Sequence, residues 1–183
     1  MPKNCPDDAC SSNEDFTQGI ILRGIGGFYT VLLENAQRIT CKQRGKLRKK
    51  DGGLYPGDKV LITITDDQEG MLEQVLPRKN QLNRPKVANI SKAFMVLSAK
   101  NPKPDWLLLD RMLVMAAYHN IEPSICFNKW DILTDEEQQE IQEILQTYKN
   151  AGFAVFYLSA LKNDGLEILK DALKNQISVF TGP

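Results

Sequence analysis

The 183-residue sequence predicts a mixed fold, an N-terminal β-barrel followed by a partial α/β domain on a parallel sheet. Three observations predict it. Residues 17–77 hold short apolar runs separated by turn residues, the pattern of a small all-β domain. From residue 91 the period changes to continuous apolar runs alternating with stretches of helical spacing, the pattern of βα units. The charge changes with it. Residues 17–91 carry 13 Lys and Arg against 7 Asp and Glu, whereas residues 92–183 carry 9 against 12. A basic block beside an acidic block argues for two domains with different partners, and the basic one suits a polyanion such as nucleic acid.

Residues 1–16 are polar and aperiodic, with one Lys against four acids, and read as a disordered tail. In the 17–77 domain, Ile20-Ile21-Leu22 and Phe28 to Leu33 flank Gly24-Ile25-Gly26-Gly27. Arg38 to Cys41 follows the turn at Glu34-Asn35, and Pro56-Gly57-Asp58 is a strong turn signal. Val60, Ile62 and Ile64 then alternate as a half-buried strand, and Asp66 to Gly70 turns the chain into Met71 to Leu76. Five short strands at this spacing suit an OB-fold, a barrel that often grips oligonucleotides. Residues 78–90 carry Arg78, Lys79, Arg84, Pro85 and Lys86 among few apolar residues and read as an inter-domain linker.

In the domain over 91–183, Ala93 to Ser98, Pro123 to Phe127, Ala154 to Leu158 and Ile177 to Phe180 read as buried strands. Asp105 to His119, a segment from the Thr134-x-x-Glu137 capping box to about Lys149, and Gly165 to Asn175 read as helices. This order implies right-handed crossovers and a parallel sheet.

No run of about 18 apolar residues is present, and the N-terminus is polar, so neither a membrane span nor a signal peptide is expected and the location is cytoplasmic. The four cysteines, Cys5, Cys10, Cys41 and Cys126, form no Cys-x-x-Cys pair, and His119 is the single histidine. Free thiols in a reducing compartment follow. Cys126 in an apolar strand reads as core, and His119 as a helix cap or surface residue.

Ligands of parallel sheets bind beyond the carboxyl ends of the strands. Asn128-Lys129-Trp130-Asp131 follows one such end and Ser159-Ala160 the next. Their chemistry fits guanine. Asp131 can accept from N1–H and N2–H together, a bidentate charge-assisted pair that adenine cannot offer. Asn128 can donate to N7, the Lys129 stem can lie over the base plane, and the Ala160 N–H can donate to O6. The competing reading is a polar loop with Asp131 capping a helix; Trp130 reads as packing. The phosphate-holding pattern Gly-x-x-x-x-Gly-Lys-Ser/Thr is absent from these residues.

Lys42, Arg44, Lys46, Arg48, Lys49 and Lys50 form the basic constellation. The first four alternate, so an extended strand would present them on one face about 7 Å apart, close to the phosphate spacing of a nucleic-acid strand. The competing reading is a solvated loop beside Gly52-Gly53. Phe28 and Tyr29 are candidates for base stacking, although aromatic residues in strands are more often core.

Gly26-Gly27-Phe28-Tyr29, Cys41 to Arg48, Pro56-Gly57-Asp58, Arg84-Pro85 with Ala88-Asn89, and His119 to Pro123 share order and spacing with one family across residues 17–183. The chain resembles the circularly permuted ribosome-associated GTPases, the ribosome small subunit-dependent GTPase A family. The resemblance implies an OB-fold that binds small-subunit ribosomal RNA, and a GTPase domain whose base-reading motifs precede the phosphate loop. It implies GTP with Mg²⁺ as ligands and the small ribosomal subunit as partner. It also implies base reading by Asn128, Lys129 and Asp131 with support from Ser159 and Ala160, and a phosphate loop beginning near Gly182. The family's remaining phosphate-loop, magnesium and switch segments and its zinc-binding domain have no counterpart in these residues. The chain alone is therefore expected to hydrolyse no GTP, to bind it weakly, and to leave an exposed sheet edge and apolar surface. Two rival readings are an RNA-binding module without nucleotide chemistry and an unrelated flavodoxin- or receiver-type domain. The latter lacks an acidic pocket or a flavin-phosphate loop.

Overall fold

A computed structural model of the chain describes residues 16–43 and 53–182. The chain divides into two compact units, Met1–Pro77 and Arg78–Pro183. Of the tail expected over 1–16, only Phe16 lies within the described residues.

The first unit contains β1 (Thr17–Ile25), β2 (Phe28–Leu33), β3 (Arg38–Gln43), β4 (Lys59–Asp66) and β5 (Glu69–Val75). They close in the order β1-β2-β3-β5-β4, with β3 and β5 parallel and the other pairs antiparallel. This is the five-stranded barrel of the OB-fold. The β1–β2 hairpin turns on Gly26 and Gly27, both at positive φ (59° and 87°). A two-residue turn needs that left-handed backbone to match the strand twist, and glycine adopts it without a Cβ clash. Alternate residues point inward, so Ile21, Val31, Leu33, Ile39, Cys41, Val60, Ile62 and Leu72 form the barrel core.

At Pro56-Gly57-Asp58 the side chain of Asp58 is fully buried, and its Oδ2 accepts the Tyr55 N–H at 2.8 Å. The Gly57 N–H donates to the Ile21 carbonyl at 2.7 Å, which fixes this turn to β1. Ile64, expected inside with Val60 and Ile62, is exposed. A register shift between Ile64 and Asp66 carries the strand out of the barrel at that point.

The second unit begins with a hairpin of β6 (Gln81–Asn83) and β7 (Lys86–Ala88). The linker reading of residues 78–90 is thereby corrected. Leu82, Val87 and Ile90 pack into the core of this unit. Asn80 braces the hairpin, donating Nδ2 to the Ile90 carbonyl and accepting the Ile90 N–H, each at 2.8 Å. Three dispersed apolar residues were enough for burial once Asn80 satisfied the backbone groups beside them.

The sheet of this unit contains β8 (Lys92–Ser98), β9 (Glu122–Asn128), β10 (Ala154–Tyr157) and β11 (Ser178–Thr181), all parallel, in the order β10-β9-β8-β11. The crossovers are α1 (Trp106–Tyr118), α2 (Asp135–Asn150) and α3 (Leu166–Ala172). Asp105 caps α1, and Thr134 with Glu137 forms the expected capping box of α2. His119 is the C-cap of α1. Helix α3 is shorter than the expected Gly165–Asn175.

The continuous apolar strands are explained by burial on both faces. Ala93, Met95, Leu97, Ile125 and Phe127 pack with Leu109, Leu113 and Ala116 of α1 and Leu145 of α2. Phe94, Cys126 and Leu158 pack on the opposite face with Leu169 of α3. Burial pushes the Cys126 thiol up to about 12, so it stays protonated as a core residue. Strand β11 is a sheet edge, and its Phe180 is half exposed while stacking on Phe94 at 5.2 Å.

Leu109 is fully buried between α1 and the sheet. Its replacement by Ala should destabilise the second unit by about 2–5 kcal/mol. Both tryptophans, Trp106 and Trp130, lie in that unit. Urea denaturation followed by their fluorescence reads the loss directly.

Candidate nucleotide-base site and basic barrel face

In a parallel sheet every strand delivers its carboxyl end to the same edge. Ser98 is level with Asn128, and Phe127 with Tyr157. Strands β8, β9 and β10 step outward one after another, and α3 then returns the chain to β11 on the other side of β8. The reversal between β8 and β11 is the topological switch point, where open α/β sheets hold their ligands.

The two expected motif loops meet at this edge. Asn128 ends β9, and its Oδ1 accepts the Ala160 N–H at 3.1 Å. Trp130 donates its N–H to the Leu158 carbonyl at 3.0 Å, which docks the first loop on the end of β10. The Trp130 ring packs against Tyr157 at 4.6 Å and edge-on to Phe127 at 6.2 Å. Lys129 has left-handed backbone (φ 63°), and its Nζ donates to the Asn101 carbonyl. Its stem therefore spans from the β9 loop to the β8–α1 loop. Lys100 in that loop pairs with Glu137 of α2 at 2.6 Å.

Asp131 lies in a 3₁₀ turn over Trp130–Ile132. Thr134, not Asp131, caps the following helix, so helix capping does not account for this carboxylate. The Asp131 side chain is 12% exposed, and Lys162 Nζ stands 3.8 Å from its Oδ2. The neighbouring Ser159 hydroxyl, then the Asp131 backbone N–H, and after these Lys162, hold the Asp131 carboxyl below the usual carboxylate range against the opposing effect of burial. Ser159 is fully buried, and its Oγ accepts the Lys162 N–H at 3.2 Å. Reciprocal backbone bonds between Ser159 and Asp164, both 3.0 Å, close the loop at its neck.

The arrangement presents an ionised carboxylate, an amide and an apolar stem within one cluster of loops. It suits a planar ligand edge carrying two adjacent donors. Sequence reasoning missed Lys162 because its link to Asp131 runs between loops about 30 residues apart. It also treated the Ala160 N–H as free, whereas that group joins the loops through Asn128. Gly182 sits at the other side of the edge, where a Cβ would come within 2.3 Å of the Val96 carbonyl oxygen. The position excludes any side chain next to the switch point.

On the barrel, Lys42 lies on the outward face of β3 with its Nζ 5.5 Å from the centre of the Phe28 ring. Phe28 is 49% exposed, whereas Tyr29 packs against the barrel core. Arg44, Lys46, Arg48, Lys49 and Lys50 lie outside the described residues.

Replacing Asn128 by Ala removes the acceptor that ties the two loops together. The Ala160 amide should exchange faster with solvent, and the unit should lose about 0.5–1.5 kcal/mol. Hydrogen exchange resolved at Ala160 checks the first and a urea titration the second.

Comparison with known proteins agrees with this architecture in both units. Residues 18–72 match the family model of the RsgA N-terminal domain and residues 75–183 that of the RsgA GTPase. The small ribosomal subunit biogenesis GTPase RsgA of Caldanaerobacter subterraneus subsp. tengcongensis is 40% identical over 166 residues, 91% of this chain and 55% of the relative. The protein of the same name from Clostridium novyi is 42% identical over 167 residues, 91% and 56%. Among solved structures, YloQ, a circularly permuted GTPase, superposes with a TM-score of 0.81 at 33% identity, covering 94% of this chain and 62% of that one. YjeQ from Thermotoga maritima superposes with a TM-score of 0.84 at 32% identity, covering 92% and 60%. The chain spans about half the length of the curated relatives it matches. With family models matching both units and relatives of about 40% identity across 91% of its length, the chain belongs to the RsgA GTPase family.

Proposed function

We propose that this chain carries the RNA-gripping barrel and the base-reading half of a cytoplasmic GTPase that acts in biogenesis of the small ribosomal subunit. The single observation that carries the nucleotide reading is the pairing of the two loops, Asn128 to Ala160 and Asp131 beside Ser159 and Lys162. In this reading Asp131 accepts N1–H and N2–H of guanine, Asn128 donates its amide to N7, and the Lys129 stem covers one face of the base. The exposed Ala160 N–H reaches O6 as the second arm of a three-centre bond. Gly182 opens the phosphate-holding segment, and GTP with Mg²⁺ is the ligand of the whole protein. Its hydrolysis needs phosphate and magnesium contacts that these 183 residues do not supply.

Guanine nucleotide should bind this chain weakly and in preference to adenine nucleotide, with no release of phosphate. Asp131→Asn replaces one acceptor oxygen by a donor. It should abolish the guanine preference and favour xanthine, whose C2 oxygen accepts a bond. Competition calorimetry with GDP, ADP and XDP measures the order. Equal binding of GDP and ADP by the unaltered chain overturns the base-reading assignment and leaves an RNA-binding module.

The barrel reading rests on Lys42 beside the exposed Phe28 and on the cations Arg44, Lys46, Arg48, Lys49 and Lys50 that follow it in sequence. Small-subunit ribosomal RNA is the proposed ligand. Affinity for it should fall steeply with salt. Lys42→Ala should reduce the salt slope by about one ion, and Phe28→Ala should weaken binding by about 1–3 kcal/mol without changing the slope. Filter binding over a salt series separates the two effects, and a flat salt response overturns phosphate contact.

A further inference from the structure

We propose that Lys162 is a positioning residue of the guanine site, setting the Asp131 carboxylate for the purine edge. The inference rests on the assignment of Asp131 as the guanine acceptor and adds a residue to that site.

Geometry carries it. A carboxylate offers about four lone-pair sites. The two donors of a guanine edge would occupy two of them, which leaves the carboxylate able to accept from groups of the protein beside it, the Ser159 hydroxyl and the Asp131 backbone N–H among them. Lys162 Nζ stands 3.8 Å from Oδ2, the one cation within ion-pair distance of the carboxylate among the described residues. Its backbone is fixed independently of its charge, because the Lys162 N–H donates to the buried Ser159 Oγ. The adjacent Asn163 takes left-handed backbone (φ 57°), and the Ser159–Asp164 bonds hold the loop shut. The ammonium group is therefore delivered by the same rigid loop that supplies Ser159 and Ala160.

The nearby cations Lys129 and Lys100 have partners of their own. Lys129 donates to the Asn101 carbonyl, and Lys100 pairs with Glu137. Asp164 meets Ser159 through its backbone. In the first turn of α2, Glu137 bonds Thr134 and Lys100, while Asp135 and Glu136 lie in the same turn, at the positive end of the helix dipole. Among the described residues, Lys162 is the cation paired with Asp131.

An ion pair with one partner 62% exposed contributes little to folding stability. Its effect is on the orientation and ionisation of Asp131. A carboxyl group held below its ordinary range keeps its acceptor character at neutral pH and loses it as pH falls through its own titration. Removing the Lys162 charge raises that titration, so base recognition fades at a higher pH.

The test uses the 183-residue chain and its Lys162→Met and Lys162→Arg variants. Carbon-13 NMR of the Asp131 carboxyl group is followed against pH without ligand, and GDP affinity is followed against pH in parallel. Lys162→Met should move the Asp131 midpoint upward. It should also weaken GDP binding about 2- to 5-fold at neutral pH, the range of an exposed pair, and shift the acid loss of affinity the same way. Lys162→Arg should restore both, with thermal unfolding unchanged throughout. An unmoved Asp131 midpoint in Lys162→Met overturns the proposal by itself. So does GDP binding by Lys162→Met that matches the unaltered chain at every pH. Failure of the unaltered chain to bind GDP, with the midpoint shifted as expected, overturns the guanine assignment and this proposal with it.

Discussion

Parallel pairing of β8, β9 and β10 is the constraint from which the candidate site follows. It forces every strand to end on one edge. Two short loops separated by about 30 residues of sequence thereby become neighbours. Burial on both faces holds the pairing, since α1 and α2 cover one side and α3 the other. A shift by one residue would exchange the two apolar sets and expose each to the wrong helices. Packing of the sheet and alignment of the loops are therefore the same physical requirement.

At that edge, hydrogen bonds replace packing as the means of positioning. Asn128 and Ala160 link the loops, Trp130 anchors one of them to the end of β10, and Ser159 serves both its own loop and Asp131. Ser159 is buried, and its hydroxyl oxygen is satisfied by the Lys162 N–H. A carboxylate in such a setting remains charged while mostly withdrawn from water. That state favours a ligand with paired donors, because bonds to a charged acceptor are stronger and more directional than bonds between neutral groups.

The barrel solves a different problem. Its core is a closed set of inward residues, so its outer face is free to carry charge and aromatic surface. Phe28 and Lys42 are cross-strand partners on β2 and β3, and the cation over the ring keeps an aromatic residue in place on an exposed face. The tight Gly26-Gly27 turn brings β2 back beside β1 at the same end.

Much of this was legible in the residues alone. Strand alternation, the change to continuous apolar runs after residue 91, the capping box at Thr134, and the two motif loops are local patterns. Local patterns specify element type and order because backbone geometry sets their period. The hairpin over 81–88 was not legible, since its Leu82, Val87 and Ile90 become apolar anchors only against a core built by later residues. The exposure of Ile64 depends on a register shift with β5, and the placing of Lys162 beside Asp131 depends on two loops joining at a sheet edge. The sequence by itself determined which elements form and which chemical groups each loop offers. Tertiary structure alone decided which of those groups meet, because hydrogen bonds and ion pairs act over a few ångströms of space and take no account of distance along the chain.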